Sequence, residues 1–586
     1  MGKLLKYMTW RQWLYVLGVV FFVVVSVWCT LTMPDYMTKV TQLVETGGAI
    51  SEVWKYGGIM LACAIGDLCS AILVGLFTAQ VASRFAASLR DNMYRKVVSF
   101  SMEEYSSFST SSLLTRATND VQQVTMVIGM GLQAFLKAPI IAVWAFLKII
   151  GKGETWLMIT GIAIVILVCV IGSNLVLVIP KFKKIQKLTD NLNRVARENL
   201  TGVRVVRAYN AEEYQSEKYD GANTALMKNH LFTGRIMAYL FPSIQAVMSG
   251  TSLAIYWAGA FIIQRAADAA AKIAIFSELV TFMAYAVQII MAFMMISMIF
   301  ILLPRAMVSA DRINQILDKE TKIHDGTHAA EGESEGTVEF RDVAFSYPDA
   351  EEPVLSGITF EAKKGDVIAF IGSTGSGKST LVNLVPRFYD VTKGQVLVDG
   401  VDVKEYTQHD LREKIGYVSQ KAILFKGTLA SNVAYGADDS AEPSEEKVKR
   451  AMEIAQGKDI LEKTEQGIYQ EVSQGGSNFS GGQKQRISIA RAIYKDPEIF
   501  IFDDSFSALD YKTDKVLRAT LKKETKDATT LIVAQRIGTV KDADQIIVLD
   551  EGKMVGKGKH EDLLKDCEVY RQIAYSQLSE EELKNA

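Results

Sequence analysis

Gly372, Ser373, Thr374, Gly375, Ser376, Gly377, Lys378, Ser379 and Thr380 run together and fit the pattern G-x-x-x-x-G-K-[ST]. An apolar run, Val367–Ile371, precedes them, and a helical segment, Ser379–Leu384, follows. That context separates the motif from a chance glycine-rich turn. The chemistry is phosphate binding. Glycines let backbone N–H groups wrap phosphate oxygens, Lys378 supplies a point charge, and Ser379 offers an oxygen to Mg²⁺. Asp503 ends a second apolar run, Ile499–Asp503, where a carboxylate can hold the same Mg²⁺ through water. These residues alone imply only an NTPase that binds a nucleoside triphosphate such as ATP with Mg²⁺.

The elements that must position them lie after a break in composition. Between Asp318 and Gly336 the chain loses apolar periodicity, as a linker does, and 319–336 is read as one. Short β-type runs then alternate with helical stretches, which predicts an α/β P-loop nucleotide-binding domain over 337–586.

Residues 1–318 read differently. Trp13–Met33, Thr155–Pro180, Ile236–Gln264 and Leu279–Pro304 carry no charge, and each exceeds the roughly 20 residues that a helical span needs. Two further runs are interrupted, Tyr56–Ser83 by Asp67 and Val121–Leu147 by Lys137. The expectation is an all-α six-helix transmembrane domain with spans near 13–33, 56–83, 128–150, 155–180, 236–264 and 279–304. The long connections, 84–120 and 181–235, are rich in Lys and Arg, which places them and both termini in the cytoplasm. Their tips, near 101–108 and 209–219, mix aromatics with acids, as short docking helices or solvated turns would.

Composition agrees with two unlike halves. The 586 residues average a hydropathy of +0.14, between a soluble and a fully lipid-embedded chain. The formal net charge of −2 argues against nucleic acid as a partner. Five cysteines without a C-x-x-C pairing point to neither a disulfide framework nor a zinc site.

Phe479, Ser480, Gly481, Gly482 and Gln483 precede a further helical stretch. With them the chain resembles a half-transporter of the ATP-binding cassette (ABC) exporter class, whose signature is L-S-G-G-Q. Gln420 in Y-V-S-Q matches the Q-loop, and Ser507-Ala508-Leu509-Asp510 matches the D-loop. The resemblance spans essentially the whole chain. It implies the type I exporter (type IV ABC) fold, with 101–108 and 209–219 as coupling helices. It also implies that Tyr347 stacks on adenine and that Gln420 joins Ser379 and Asp503 at the metal. Phe479–Gln483 and Asp510 would serve the opposite site of a dimer.

Two catalytic positions depart from that class, and Gln474, where it often has Glu, is a further departure. Asp504 stands where the class has the glutamate that activates water, and Gln535 where it has a histidine facing the terminal phosphate. Aspartate is shorter by about one C–C bond, roughly 1.5 Å. Glutamine can donate a hydrogen bond but carries no charge. Asp504 and Gln535 are therefore the candidate catalytic residues of a site expected to bind ATP and hydrolyse it poorly. A second, non-identical half-transporter would carry the competent site, in the plasma membrane of a bacterium. The expected cargo is a small hydrophobic or amphipathic molecule, a drug or a lipid. A peptide exporter and an ATP-gated regulatory or channel-like subunit are the alternatives. Asp67, Lys137, Met291 and Met295 are candidates to line the substrate cavity.

Overall fold

The computed structural model describes residues 1–150, 153–266, 268–327, 335–348, 350–437, 442–463 and 466–578. Backbone contacts divide the chain into two units, Met1–Val98 with Phe108–Lys319, and Ser99–Ser107 with Glu320–Ala586.

Among the described residues of the first unit, six helical stretches are long and apolar enough to cross a membrane. Spans one to six are Trp10–Glu45, Ile50–Val98, Thr110–Ile149, Glu154–Thr201, Glu212–Arg265 and Ala269–Leu317. They far outrun the uncharged segments. Span two has 49 residues, so at 1.5 Å per residue it is roughly 70 Å long, against about 30 Å of hydrocarbon. The excess length carries the charged ends that water, not lipid, must solvate.

Residues of all six spans share one core, with Trp156 of span four and Ile255 of span five in it. It includes Val23 and Leu31 of span one, Val74 of span two, Ile141 of span three and Phe282 and Ile289 of span six. Spans four and five pack along one another and reach span six through Leu167, Leu240, Ile244 and Ile290. Span three is a composite, α-helical turns alternating with two π-helical ones, Arg116–Asp120 and Val127–Gly131.

The two tips differ. Met102–Ser106 is a short helix closed by a capping box between Ser101 and Glu104. It belongs with the second unit, where Glu104 is buried and accepts from the Lys322 backbone N–H at 3.2 Å. Burial works against the Glu104 charge, but the Ser101 and Lys322 donors outweigh it and hold the carboxyl below the usual range. At the other tip the short helix is Val203–Ala208, just ahead of the expected segment. Residues 209–219 are instead a turn and the start of span five. Gly202 ends span four, and Asn210 with φ 49° makes the turn.

The second unit holds a six-stranded sheet in the order Lys553–Gly558, Gln545–Asp550, Val367–Gly372, Thr529–Val533, Ile499–Asp503, Ile415–Val418. Its strands run parallel except for the edge strand Lys553–Gly558. The central strands are buried on both faces, as their continuous apolar runs require. A second, antiparallel sheet is ordered Leu355–Ala362, Val338–Phe345, Lys393–Val398, Val401–Asp402. Part of the connecting segment is tied down, because Gly326 N–H donates to Tyr406 O at 2.9 Å and Arg387 to His324 O at 3.0 Å. Residues 328–334 of it lie outside the described residues.

Candidate active site

Four neighbouring parallel strands deliver the site. At their C-terminal ends, in sheet order, come the phosphate loop after Val367–Gly372, Gln535 after Thr529–Val533, Asp503 and Asp504 at Ile499–Asp503, and Gln420 after Ile415–Val418. Ligands of open α/β sheets bind at this edge. The registers Phe370–Val533, Val533–Asp503 and Phe502–Val418 keep the strand ends level.

In the phosphate loop, Gly375 and Gly377 have φ of 88° and 92°. A Cβ on Gly377 would also lie 2.7 Å from the Leu355 side chain. Lys378 is buried, and its ammonium donates to Gly372 O at 2.9 Å, Ser373 O at 2.7 Å and Ser376 Oγ at 3.3 Å. Burial lowers its pKa, partly offset by the Asp504 and Asp503 charges. The loop is thus curled around its own cation.

Ser379 Oγ donates to Asp503 Oδ1 at 2.7 Å. Burial pushes the Asp503 carboxyl up, Ser379 opposes this, and the Asp504 charge adds to it. A buried carboxylate beside a hydroxyl is a hard-oxygen pair that suits Mg²⁺. Ser379 and Asp503 fit that ion, while the Gln420 side chain meets the cluster through its Nε2, on Asp504. Mg²⁺ bound there would neutralise charge on the phosphate oxygens.

Asp504 sits in left-handed backbone, φ 45°, a conformation that Asp tolerates better than most residues. Its Oδ2 accepts from Gln535 Nε2 at 3.0 Å and from Gln420 Nε2 at 3.2 Å. Burial raises its pKa against the Gln420 donor, the Lys378 and Arg536 charges and the Ser507 hydroxyl. The Ser507 hydroxyl donates to Asp504 O at 2.9 Å, and Arg536 reaches Ser507 O at 3.4 Å. The Asp504 turn and the Gln535 loop are thereby linked twice.

Other predicted residues lie around this cluster or apart from it. Tyr347 is half-buried, edge-on to Phe345 and Tyr389, with its hydroxyl 3.1 Å from Thr380 Oγ1. Ser480 and Gln483 bond to one another's backbone, capping the helix Gly481–Lys495. Gly481 is exposed, and a Cβ there would meet nothing. Asp510 caps Tyr511–Glu524 by accepting from Thr513 N–H at 3.0 Å. The bonds of Ser480, Gln483 and Asp510 go to their own helix starts, not to the Lys378–Asp503 cluster.

In the first unit Asp67 and Lys137 come together through a third residue. The buried Ser26 donates to Asp67 Oδ1 at 2.5 Å and accepts from Lys137 Nζ at 3.0 Å. Met295 packs against the span-six core, while Met291 is exposed. Sequence reasoning missed Ser26, whose only signal is a hydroxyl within an apolar run. It missed equally the partners of Lys148 and those of Gln577.

Comparison with known proteins identifies the family. Residues 355–507 match the ABC transporter family, and residues 16–293 match the ABC transporter transmembrane region. An uncharacterized ABC transporter ATP-binding protein of Mycobacterium tuberculosis is 37% identical over 94% of both chains. An ATP-dependent lipid A-core flippase of Pseudomonas aeruginosa is 32% identical over 87% of this chain and 83% of its own. The structure of a bacterial Atm1-family ABC exporter with ATP bound superposes with TM-score 0.80 at 23% identity, covering 97% of this chain and 98% of that one. With six apolar helices ahead of a P-loop sheet and relatives aligned over most of their length, the chain belongs to the ABC transporter family, as a half-transporter with the fold of an exporter.

Proposed function

We propose that this chain is the weak-site half of a heterodimeric exporter in a bacterial plasma membrane, with both termini in the cytoplasm. The observation that carries the reading is the pairing of Asp504 with Gln535. The two residues that depart from the competent pattern share one hydrogen bond in one cluster. Lys378, Ser379 and Asp503, which bind rather than hydrolyse, keep their competent types.

In this reading the phosphate loop and Lys378 hold the ATP phosphates, Ser379 and Asp503 hold Mg²⁺, and Tyr347 supports the base. Asp504 is too short to position water well. A misplacement of about 1 Å can cost on the order of 10²-fold in rate. Phe479–Gln483, at a helix start, complete the partner's site, where turnover occurs. The partner carries Glu and His where this chain has Asp504 and Gln535.

The cargo is a hydrophobic or amphipathic small molecule. The lipid A-core flippases among the relatives favour a lipid-like amphiphile. Asp67, Lys137, Met291 and Met295 are proposed to line or brace its path.

The test is ATPase of the purified chain alone and of the chain co-purified with the half-transporter encoded beside it. The pair should turn over far faster, with stimulation by cargo. Equal rates for the chain alone and the pair would refute the weak-site reading.

A further inference from the structure

The helix Glu568–Gln577 packs against the strand Val367–Gly372, and its last residue grips the loop that carries Gln535. Gln577 Nε2 donates to the Gln535 backbone carbonyl at 2.8 Å. Gln577 Oε1 accepts from the Ile537 backbone N–H at 2.8 Å. One side-chain amide thus bridges backbone groups on either side of Arg536. The Gln535 side chain, facing the other way, donates to Asp504.

We propose that Gln577 is a positioning residue, which sets the switch loop so that the Gln535 amide addresses Asp504 and the terminal phosphate of ATP. The inference rests on the reading of Gln535 as the phosphate-facing residue.

The helix is built to hold such a grip. Tyr570 and Ala574 are fully buried, and Tyr570 OH lies 2.6 Å from His560 Nδ1. Ile537 is buried in the same core, so the loop is fixed beyond Arg536 by packing. Ala534 is buried at the other end, so only Gln535 and Arg536 are exposed between two fixed points, and Gln577 supplies a side-chain contact there. The Ile537 N–H starts a short helical turn, Ile537–Val540, and an N–H at such a start has no partner within its own helix. An amide side chain both donates and accepts, with the two groups on one planar fork. Glutamate could keep the Ile537 bond but would set a charge against the Gln535 carbonyl. Alanine loses both bonds. Gln577 itself is exposed, so its substitution leaves the core intact.

The experiment uses the full-length chain in detergent and two readouts. Hydrogen exchange reports the Ile537 amide, and competition against a fluorescent ATP analogue gives the ratio of ATP to ADP affinity. ADP lacks the phosphate that Gln535 faces, so the ratio reads loop position without requiring turnover. Gln577→Ala should speed Ile537 exchange roughly two- to tenfold, as loss of one hydrogen bond does, and lower the ratio severalfold. Gln577→Glu should keep Ile537 protected and still lower the ratio. An unchanged ratio in Gln577→Ala, with or without faster exchange, overturns the proposal, provided that Gln535→Ala lowers it. If Gln535→Ala leaves the ratio unchanged, the phosphate-facing reading of Gln535 fails, and the inference with it. Neither result bears on whether the site hydrolyses, which Asp504→Glu tests separately.

Discussion

Gln535 Nε2 and Asp504 Oδ2 lie 3.0 Å apart, and the same carboxylate oxygen accepts from Gln420 at 3.2 Å. Two neutral amides therefore hold one short carboxylate. Lengthening the acid should move its charge toward the space that an attacking water needs. Asp504→Glu combined with Gln535→His should raise steady-state ATPase of the full-length chain, up to the order of 10²-fold that 1 Å of misplacement costs. Asp504→Glu alone should yield less, because the left-handed backbone at 504, φ 45°, suits Asp better than Glu. A double variant no faster than the parent would count against the proposed weak site.

Span one meets spans three and six at a second polar cluster. Lys148 Nζ donates to Asp35 Oδ2 at 2.5 Å, and Tyr285 OH lies 2.7 Å from Asp35 Oδ1 and 2.9 Å from Leu31 O. Pro34 precedes Asp35 and removes one helical N–H, so the nearby carbonyls have fewer internal donors. Tyr285→Phe and Asp35→Asn should each lower the melting temperature in detergent. Their effects should be non-additive, with a coupling of about 0.5–1.5 kcal/mol, the range for polar contacts between membrane helices. Simple additivity would show that the contact carries no energy of its own.

How much of this was legible follows from sequence distance. The phosphate loop, Asp503 and the signature are contiguous runs, so local spacing carries them. Spans are legible for the same reason, since an uncharged run of more than 20 residues has few other uses. Helix ends are not, because the charged extensions of span two to Val98 read as soluble helix or loop alike. The Asp35–Tyr285 and Ile537–Gln577 pairs are 250 and 40 residues apart, and their residue types are ordinary. Nothing but the fold brings them together. The tip at 203–208 is an intermediate case. Gly202 and Asn210 were readable as breaks, but the aromatic and acidic residues at 209–219 drew the expectation past them.

Lys414 joins the two sheets of the second unit. It is 9% exposed and pairs with Asp399 and Glu498, each at 2.9 Å. Burial lowers its pKa, but the two carboxylates outweigh that and raise it above the ordinary value. Lys414→Met leaves two carboxylates facing one another without a cation. It should cost about 3–5 kcal/mol, the usual price of breaking a buried ion pair from one side. The readout is the unfolding midpoint of the nucleotide-binding domain. Lys414→Arg, which keeps the charge, should recover most of the loss. A Met variant as stable as the parent would mean that water reaches the pair.

His560 ties stability to pH at the foot of the C-terminal helix. It is 8% exposed, with Nδ1 2.6 Å from Tyr570 OH. Burial lowers its pKa from the ordinary 6.5, the Lys541 charge lowers it further, and Glu561 and Asp542 oppose both. The folded value lies below the unfolded one, so the unfolded chain takes up the proton first. The stability held by neutral His560 is therefore present above pH 6.5 and is lost as pH falls through the folded value. Acidification from pH 8 to 5 should destabilise the nucleotide-binding domain, and His560→Gln should flatten that part of the curve. The measurement is the difference in melting temperature between parent and variant across that range. It should be constant above pH 7 and change steadily below 6.5, in the direction of the variant losing less. Because the same helix presents Gln577, acid should also speed Ile537 amide exchange, after correction for its intrinsic pH dependence, in the parent more than in the variant. Parallel melting curves at every pH would show that His560 stays neutral, or stays hydrated, throughout.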